Sequence, residues 1–103
     1  MIYETGKLST GKQYEIIDSA ESAVREGSHR IAHVLSDPEL TMTERQEILG
    51  IGLQHALKNA FESEHFRVAI NGLAQGTLRT VHVHIILPRG KDTLPRLVTG
   101  ITE

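Results

Sequence analysis

The chain predicts an α+β fold, an antiparallel sheet of about four to five strands packed with one long helix and one short helix. Three observations carry that expectation. Apolar residues between Thr43 and Phe61 recur at helical spacing. Phe66, Val68 and Ile70 alternate with Arg67, Ala69 and Asn71, the period-two mark of a half-buried strand. A second β-rich run, Thr77 to Leu87, follows after a short glycine-containing loop, which argues for antiparallel pairing.

Residues 3–17 read as an irregular start, with Gly6 and Gly11 as turn residues, leading into a short strand from Gln13 to Ile17. Asp18 or Ser19 is placed to cap a short helix through Glu26, which Gly27 would end. His29 to Leu35 reads as a further strand, and Ser36-Asp37-Pro38 then punctuates the chain. In the long helix, Thr43 with Gln46 fits a capping box and Glu44 lies in the positively polarised first turn. Leu49, Leu53, Ala56, Leu57, Ala60 and Phe61 form its apolar stripe. Gly50 and Gly52 weaken it by roughly 1 kcal/mol each relative to Ala. Gly72 to Gly76 reads as a loop, Pro88-Arg89-Gly90 ends the last strand, and the tail with Pro95 and Gly100 reads as loop.

Composition bounds the function classes. With 103 residues the expectation is one domain, 1–103, and 39% hydrophobic with 23% charged residues is an ordinary globular balance. A formal charge of −2 gives no reason to expect extended nucleic-acid binding. The longest apolar run, Ile85-Ile86-Leu87, is far below the ~18 residues of a membrane span, so no membrane partner is expected. Met1-Ile2-Tyr3-Glu4 lacks the pattern of a secretory signal, and the expected location is cytoplasmic. There is no cysteine, which removes disulfides, thiolate metal sites and cysteine nucleophiles.

Six histidines remain to be explained, two of them two residues apart. In a strand Thr80, His82 and His84 share one face, with Val81, Val83 and Ile85 on the other. If the valines face the helix, the imidazoles face outward or into a cleft, with side chains roughly 6–7 Å apart. That spacing suits donors along a polyphosphate, or two ligands on one metal. Imidazole is also a nucleophile toward phosphorus, attacking through a neutral nitrogen and leaving a labile covalent intermediate. The plain reading of His-Val-His is the polar face of a half-exposed sheet, and the motif alone does not choose between them.

Context favours the chemistry. The stretch from Arg67 through Asn71, Gln75, Thr77, Thr80, His82 and His84 to Arg89 resembles the signature region of the histidine triad (HIT) family. There, a strand ending in Asn is followed by a glycine- and glutamine-containing loop and a His-φ-His-φ-His-φ-φ strand. Ser28 to Leu35 resembles the family's earlier His-hydrophobic strand, with His29 at its early His, and Thr43 to Phe61 falls where its long helix belongs. The resemblance spans Ser28 to Gly100. It implies a HIT-like fold and a nucleotide hydrolase or nucleotidyl transferase working through a nucleotidyl-histidine intermediate, on a nucleotide or nucleotide conjugate, as a homodimer and with no cofactor or metal.

Ungapped alignment puts Thr80, His82 and His84 at the three triad positions. The resemblance then implies His82 as nucleophile and His84 as a catalytic phosphate contact, with Asn71, Gln75, Thr77 and Thr80 binding substrate. A slip of two residues would instead make His84 the nucleophile and leave Ile86 at the third position. The first register keeps Thr77-Leu78 against the family's Ser/Thr-Val. One triad His is absent in either register, and the loop after Asn71 is slightly short, so Gln75 stands next to the family's Gln. His33, His55 and His65 read as ordinary surface or partly buried histidines, and Arg89 as a strand terminator. Two other readings stay open, a nucleotide-binding module that has lost catalysis and a His-x-His metal protein.

Overall fold

The computed structural model describes residues 1–35, 39–62, 65–71 and 81–93. Along these the chain runs β1 (Ile2–Lys7), β2 (Gln13–Asp18), β3 (Ser28–Val34), α1 (Met42–Asn59), β4 (Arg67–Asn71) and β5 (His82–Leu87). The fold is α+β, one five-stranded sheet in the order β1-β2-β3-β5-β4 with every neighbouring pair antiparallel. β3 and β4 therefore run parallel to each other, joined through α1, and β5 returns between them as in a split β-α-β unit.

The first strand was not expected from the sequence, because its residues give little apolar alternation. It is held by pairing with β2, with one extra residue between Ile2 and Glu4 that bulges at Tyr3. The turn after it closes through Leu8 N–H to the Lys12 carbonyl, with Gly11 at φ 92°, a conformation that favours glycine.

Alternation sorts the sheet residues. Tyr14 and Ile16 of β2, Ala32 and Val34 of β3, and Val83, Ile85 and Leu87 of β5 face α1 and form the core with Ile48 and Ala56. The helix approaches this layer through Gly52, where a Cβ would stand 2.8 Å from Val83 Cγ1. The buried helix face is Glu44, Ile48, Gly52, His55 and Ala56. This corrects the expected stripe, since Leu53 (44%), Leu57 (63%) and Phe61 (45%) remain exposed. A glycine and a histidine on the inner face cannot be found by counting apolar residues.

The capping box is also displaced. Thr41, not Thr43, is the N-cap; its hydroxyl accepts the Glu44 N–H, while the Glu44 carboxylate accepts the Thr41 N–H. The same carboxylate takes hydrogen bonds from Thr10 and Lys12, which ties the start of α1 to the β1–β2 turn. The Thr10 hydroxyl, with help from Thr41 and Lys12, holds the Glu44 carboxyl down at about 2.

The short helix expected up to Glu26 is absent, and residues 19–27 are irregular. Local hydrogen bonds outcompete helical ones here. Ser19 and Ser22 hydroxyls accept the N–H groups of Glu21 and Val24. The Asp92 carboxylate takes the N–H groups of Arg25, Glu26 and Gly27. The expected Ser36-Asp37-Pro38 break, the Gly72–Gly76 loop and the Pro95–Gly100 tail lie outside the described residues. No helix among the described residues is long and apolar enough to cross a membrane.

Under the helix lies a charged chain. Arg30 Nη1 donates to His55 Nε2 (2.9 Å), His55 Nδ1 faces Glu4 Oε1 (3.0 Å), and the Tyr14 hydroxyl donates to Glu4 Oε2 (2.8 Å). Arginine only donates, so His55 Nε2 accepts and its proton sits on Nδ1, toward Glu4.

Candidate active site

Because Val83 and Ile85 are buried in the core, His82 and His84 project from the opposite face of β5. Register then decides their neighbours. His82 lies opposite His33 of β3 and Asn71 of β4, and His84 lies opposite Ile31 and Ala69. His29, at the start of β3, shares this face one pair further along, opposite Ile86.

The rings converge more closely than strand spacing alone requires. His82 and His84 have centroids 4.8 Å apart at 71°, and His29 and His84 are 5.1 Å apart at 47°. His29 Nε2 lies 2.9 Å from His84 Nδ1. The Ala23 N–H donates to His29 Nδ1 at 3.0 Å, so the neutral His29 ring carries its proton on Nε2 and gives it to His84 Nδ1. Neutral His84 must then carry its own proton on Nε2. The result is an uncharged donor, oriented by a backbone amide two hydrogen bonds away.

Electrostatics keep the pair uncharged. Burial, then the neighbouring His82 and His29 rings, push the His84 imidazolium down to about 4. Burial also lowers His29, opposed by the Glu21 carbonyl. Asn71 Nδ2 stands 3.4 Å from His82 Nε2, a long contact in which the amide is the donor.

Beside His84 and His29 opens a cleft of ≈ 500 Å³, walled by Ser19, Ala20, Glu21, Ser22, Ala23 and Ile31. That volume falls in the range of small-molecule sites. Its wall is the loop expected to be a helix. Asp92 fixes that loop from below and takes the Arg89 N–H as well, and these four N–H groups bring its carboxyl to about 2 against the effect of burial.

Of the site residues expected from sequence, Asn71, His82 and His84 are brought next to one another, and His84 is the one of the three that lines the cleft. Gln75, Thr77 and Thr80 lie outside the described residues. His33, expected to be ordinary, stands across from His82 and faces Glu15 Oε1 at 3.0 Å. His55 is buried on the opposite side of the sheet, and His65 pairs with Glu62 at the surface. The guanidinium of Arg89 stacks 5.0 Å over Phe61 rather than lining the cleft. The loop wall and Asp92 were missed; a lone Asp after Gly-Lys carries no signal of the amides it will meet. Among the described residues no group of three or more metal-ligating side chains is placed to hold an ion.

Comparisons of the chain with family models, curated proteins and solved structures gave no match. The geometry and the residues themselves carry the functional reading.

Proposed function

We propose that the chain is a HIT-like nucleotide-binding protein that hydrolyses or transfers a nucleotidyl group through a covalent intermediate on His82. The observation that carries this reading is the neutral His29–His84 pair lining a cleft of small-molecule size, with the His82 ring packed against His84. In the first step the lone pair of His82 attacks the α-phosphorus of a nucleotide conjugate. A P–N bond forms as the P–O or P–N bond to the leaving group breaks, and the leaving group departs with a proton taken from solvent. Water or an acceptor hydroxyl then attacks phosphorus and gives its proton back to solvent, the P–N bond to His82 breaks and the imidazole is restored.

His84 supports the charge that builds on the phosphoryl oxygens by donating from Nε2. A positioned donor of this kind is worth ~2.7–4 kcal/mol against developing charge. Asn71 lies beside the His82 nitrogen; Gln75, Thr77 and Thr80 complete the phosphate contacts that the family resemblance implies. The chemistry needs no metal, and the proposed assembly is a cytoplasmic homodimer.

Thr80, standing where the family has its first His, supports a second reading, a nucleotide-binding module with weakened catalysis. One set of assays separates the two. Adenosine phosphoramidate and dinucleoside polyphosphates are offered to the wild type and to His82→Ala, with thermal melts as the fold control. Turnover lost in a folded His82→Ala supports the enzyme. Nucleotide binding without turnover in the wild type supports the module, and equal turnover in both proteins overturns the role of His82.

A further inference from the structure

A second cleft, of ≈ 490 Å³, borders the same loop and is lined by Tyr3, Ser22, Arg25, Ser28, Arg30 and Phe61 among others. Its central residue is unusual. Arg30 is on the helix side of β3, opposite Ile85, and only 8% exposed. Its Nε donates to Ser28 Oγ at 3.0 Å and its Nη1 to His55 Nε2 at 2.9 Å, while its carbon lies 3.6 Å over the Tyr3 ring. Among the described residues Nη2 has no hydrogen-bond partner, and no carboxylate pairs directly with this guanidinium. Glu4 reaches it only through His55, and Asp18, its partner in the β2–β3 register, is lowered by the Tyr3 hydroxyl and in part by the guanidinium's charge.

Nη2 is not among the buried unpaired atoms, so it keeps contact with solvent and can take an acceptor from the cleft. The surroundings suit an anion. Arg25 adds a second cation to the lining, and Arg89 places a third against Phe61. The one acidic residue of the lining, Asp18, already accepts the Tyr3 hydroxyl at 2.6 Å and pairs with the terminal ammonium. Ser28, whose oxygen accepts from Arg30 Nε, adds a hydroxyl that can donate.

We propose that this cleft binds a phosphate-type oxyanion, anchored on Arg30 with Arg25 as the second cation. A tetrahedral anion can use the Arg30 edge, the Arg25 guanidinium and a serine hydroxyl together, which a planar carboxylate does less fully. His29 borders this cleft as well as the first, so the two meet at the loop, while Arg25 and Arg30 belong to this one alone.

The test is a titration of ¹⁵N-labelled protein with inorganic phosphate at constant pH and ionic strength, read at the Ser28 and Arg30 amides and the Arg30 Nε–H. Chloride and acetate serve as comparison anions, and Arg25→Gln as an exposed, fold-neutral variant. Saturable shifts with phosphate, absent with chloride, weaker with acetate, and weakened about 3- to 10-fold in Arg25→Gln are expected. Shifts confined to His82 and His84, non-saturating drift, equal affinity in Arg25→Gln, or tighter acetate binding would each overturn the proposal.

Discussion

His29 Nε2 and His84 Nδ1 lie 2.9 Å apart although 55 residues separate them in the chain. Two neutral imidazoles can hold this contact only with one tautomer each, and the Ala23 N–H on the far side of His29 selects which. The loop backbone thus decides where His84 can donate. Protonating His84 would place a donor against a donor, in agreement with its low proton affinity.

That arrangement has a pH signature. An unfolded His titrates near 6.5, whereas folded His84 is held at about 4. Between those values the unfolded chain binds more protons, so stability is full above pH 6.5 and falls as the pH drops toward 4. His84→Gln should flatten this limb, removing about 1–2 kcal/mol of the change after allowance for solvent screening of a half-buried ring. Urea unfolding at pH 7.0, 5.5 and 4.5 checks it. Equal slopes in wild type and variant would place the acid sensitivity elsewhere.

Asp92 should matter to the cleft rather than to the core. Asp92→Ala removes the acceptor shared by the Arg25, Glu26, Gly27 and Arg89 amides. Faster hydrogen exchange at these amides is expected, with the amides of β5 unaffected. The carboxyl is depressed to about 2, so its support is present above its ordinary value of 3.8 and is lost as pH falls through 2. Uniform loss of protection across the sheet would contradict a local clamp.

The two helix glycines should respond in opposite directions. Nothing lies within 4 Å of a Cβ at Gly50, so Gly50→Ala should stabilise by about 0.5–1 kcal/mol through helix propensity and reduced unfolded-state entropy. At Gly52 the new methyl meets Val83 Cγ1 at 2.8 Å, and Gly52→Ala should destabilise by about 1–3 kcal/mol. Thermal melts of the pair decide it; a stabilised Gly52→Ala would mean that α1 does not pack closely on β5.

Breaking the buried charge chain should be costly. His55→Ala leaves the Arg30 Nη1 donor and the Glu4 carboxylate without their shared partner, at about 3–5 kcal/mol. Chemical denaturation measures it, and a change below 1 kcal/mol would show that water replaces the imidazole freely.

How much of this was legible in the residues depended on whether packing or periodicity set the outcome. Alternation in Val81 to Ile85 is strong, so the shared face of His82 and His84 could be read directly. The α+β class followed for the same reason. Periodicity misled at α1, where the long aliphatics Leu53 and Leu57 stay exposed while Gly52 and His55 turn inward, because close approach and a polar partner decided that face. The β1 strand was invisible because backbone pairing and the Glu4–His55 contact hold it, not alternating hydrophobes. Ser19 to Gly27 looked like a helix since its cap and its terminal glycine sit at the right distance; what overrides them is Asp92, far along the chain. His29 stood out in the sequence only through a resemblance, and nothing there marked it as the donor that fixes His84.

The central claim is that His82 carries the nucleotidyl group. It is tested most directly by mixing the protein with adenosine phosphoramidate, quenching under alkaline conditions that preserve phosphoramidate bonds, and mapping the adduct by mass spectrometry. One adenylate on the His82 nitrogen of the β5 peptide, missing in His82→Ala, is the predicted result. An adduct on His84 or on any other residue, or turnover with no adduct at all, would contradict it.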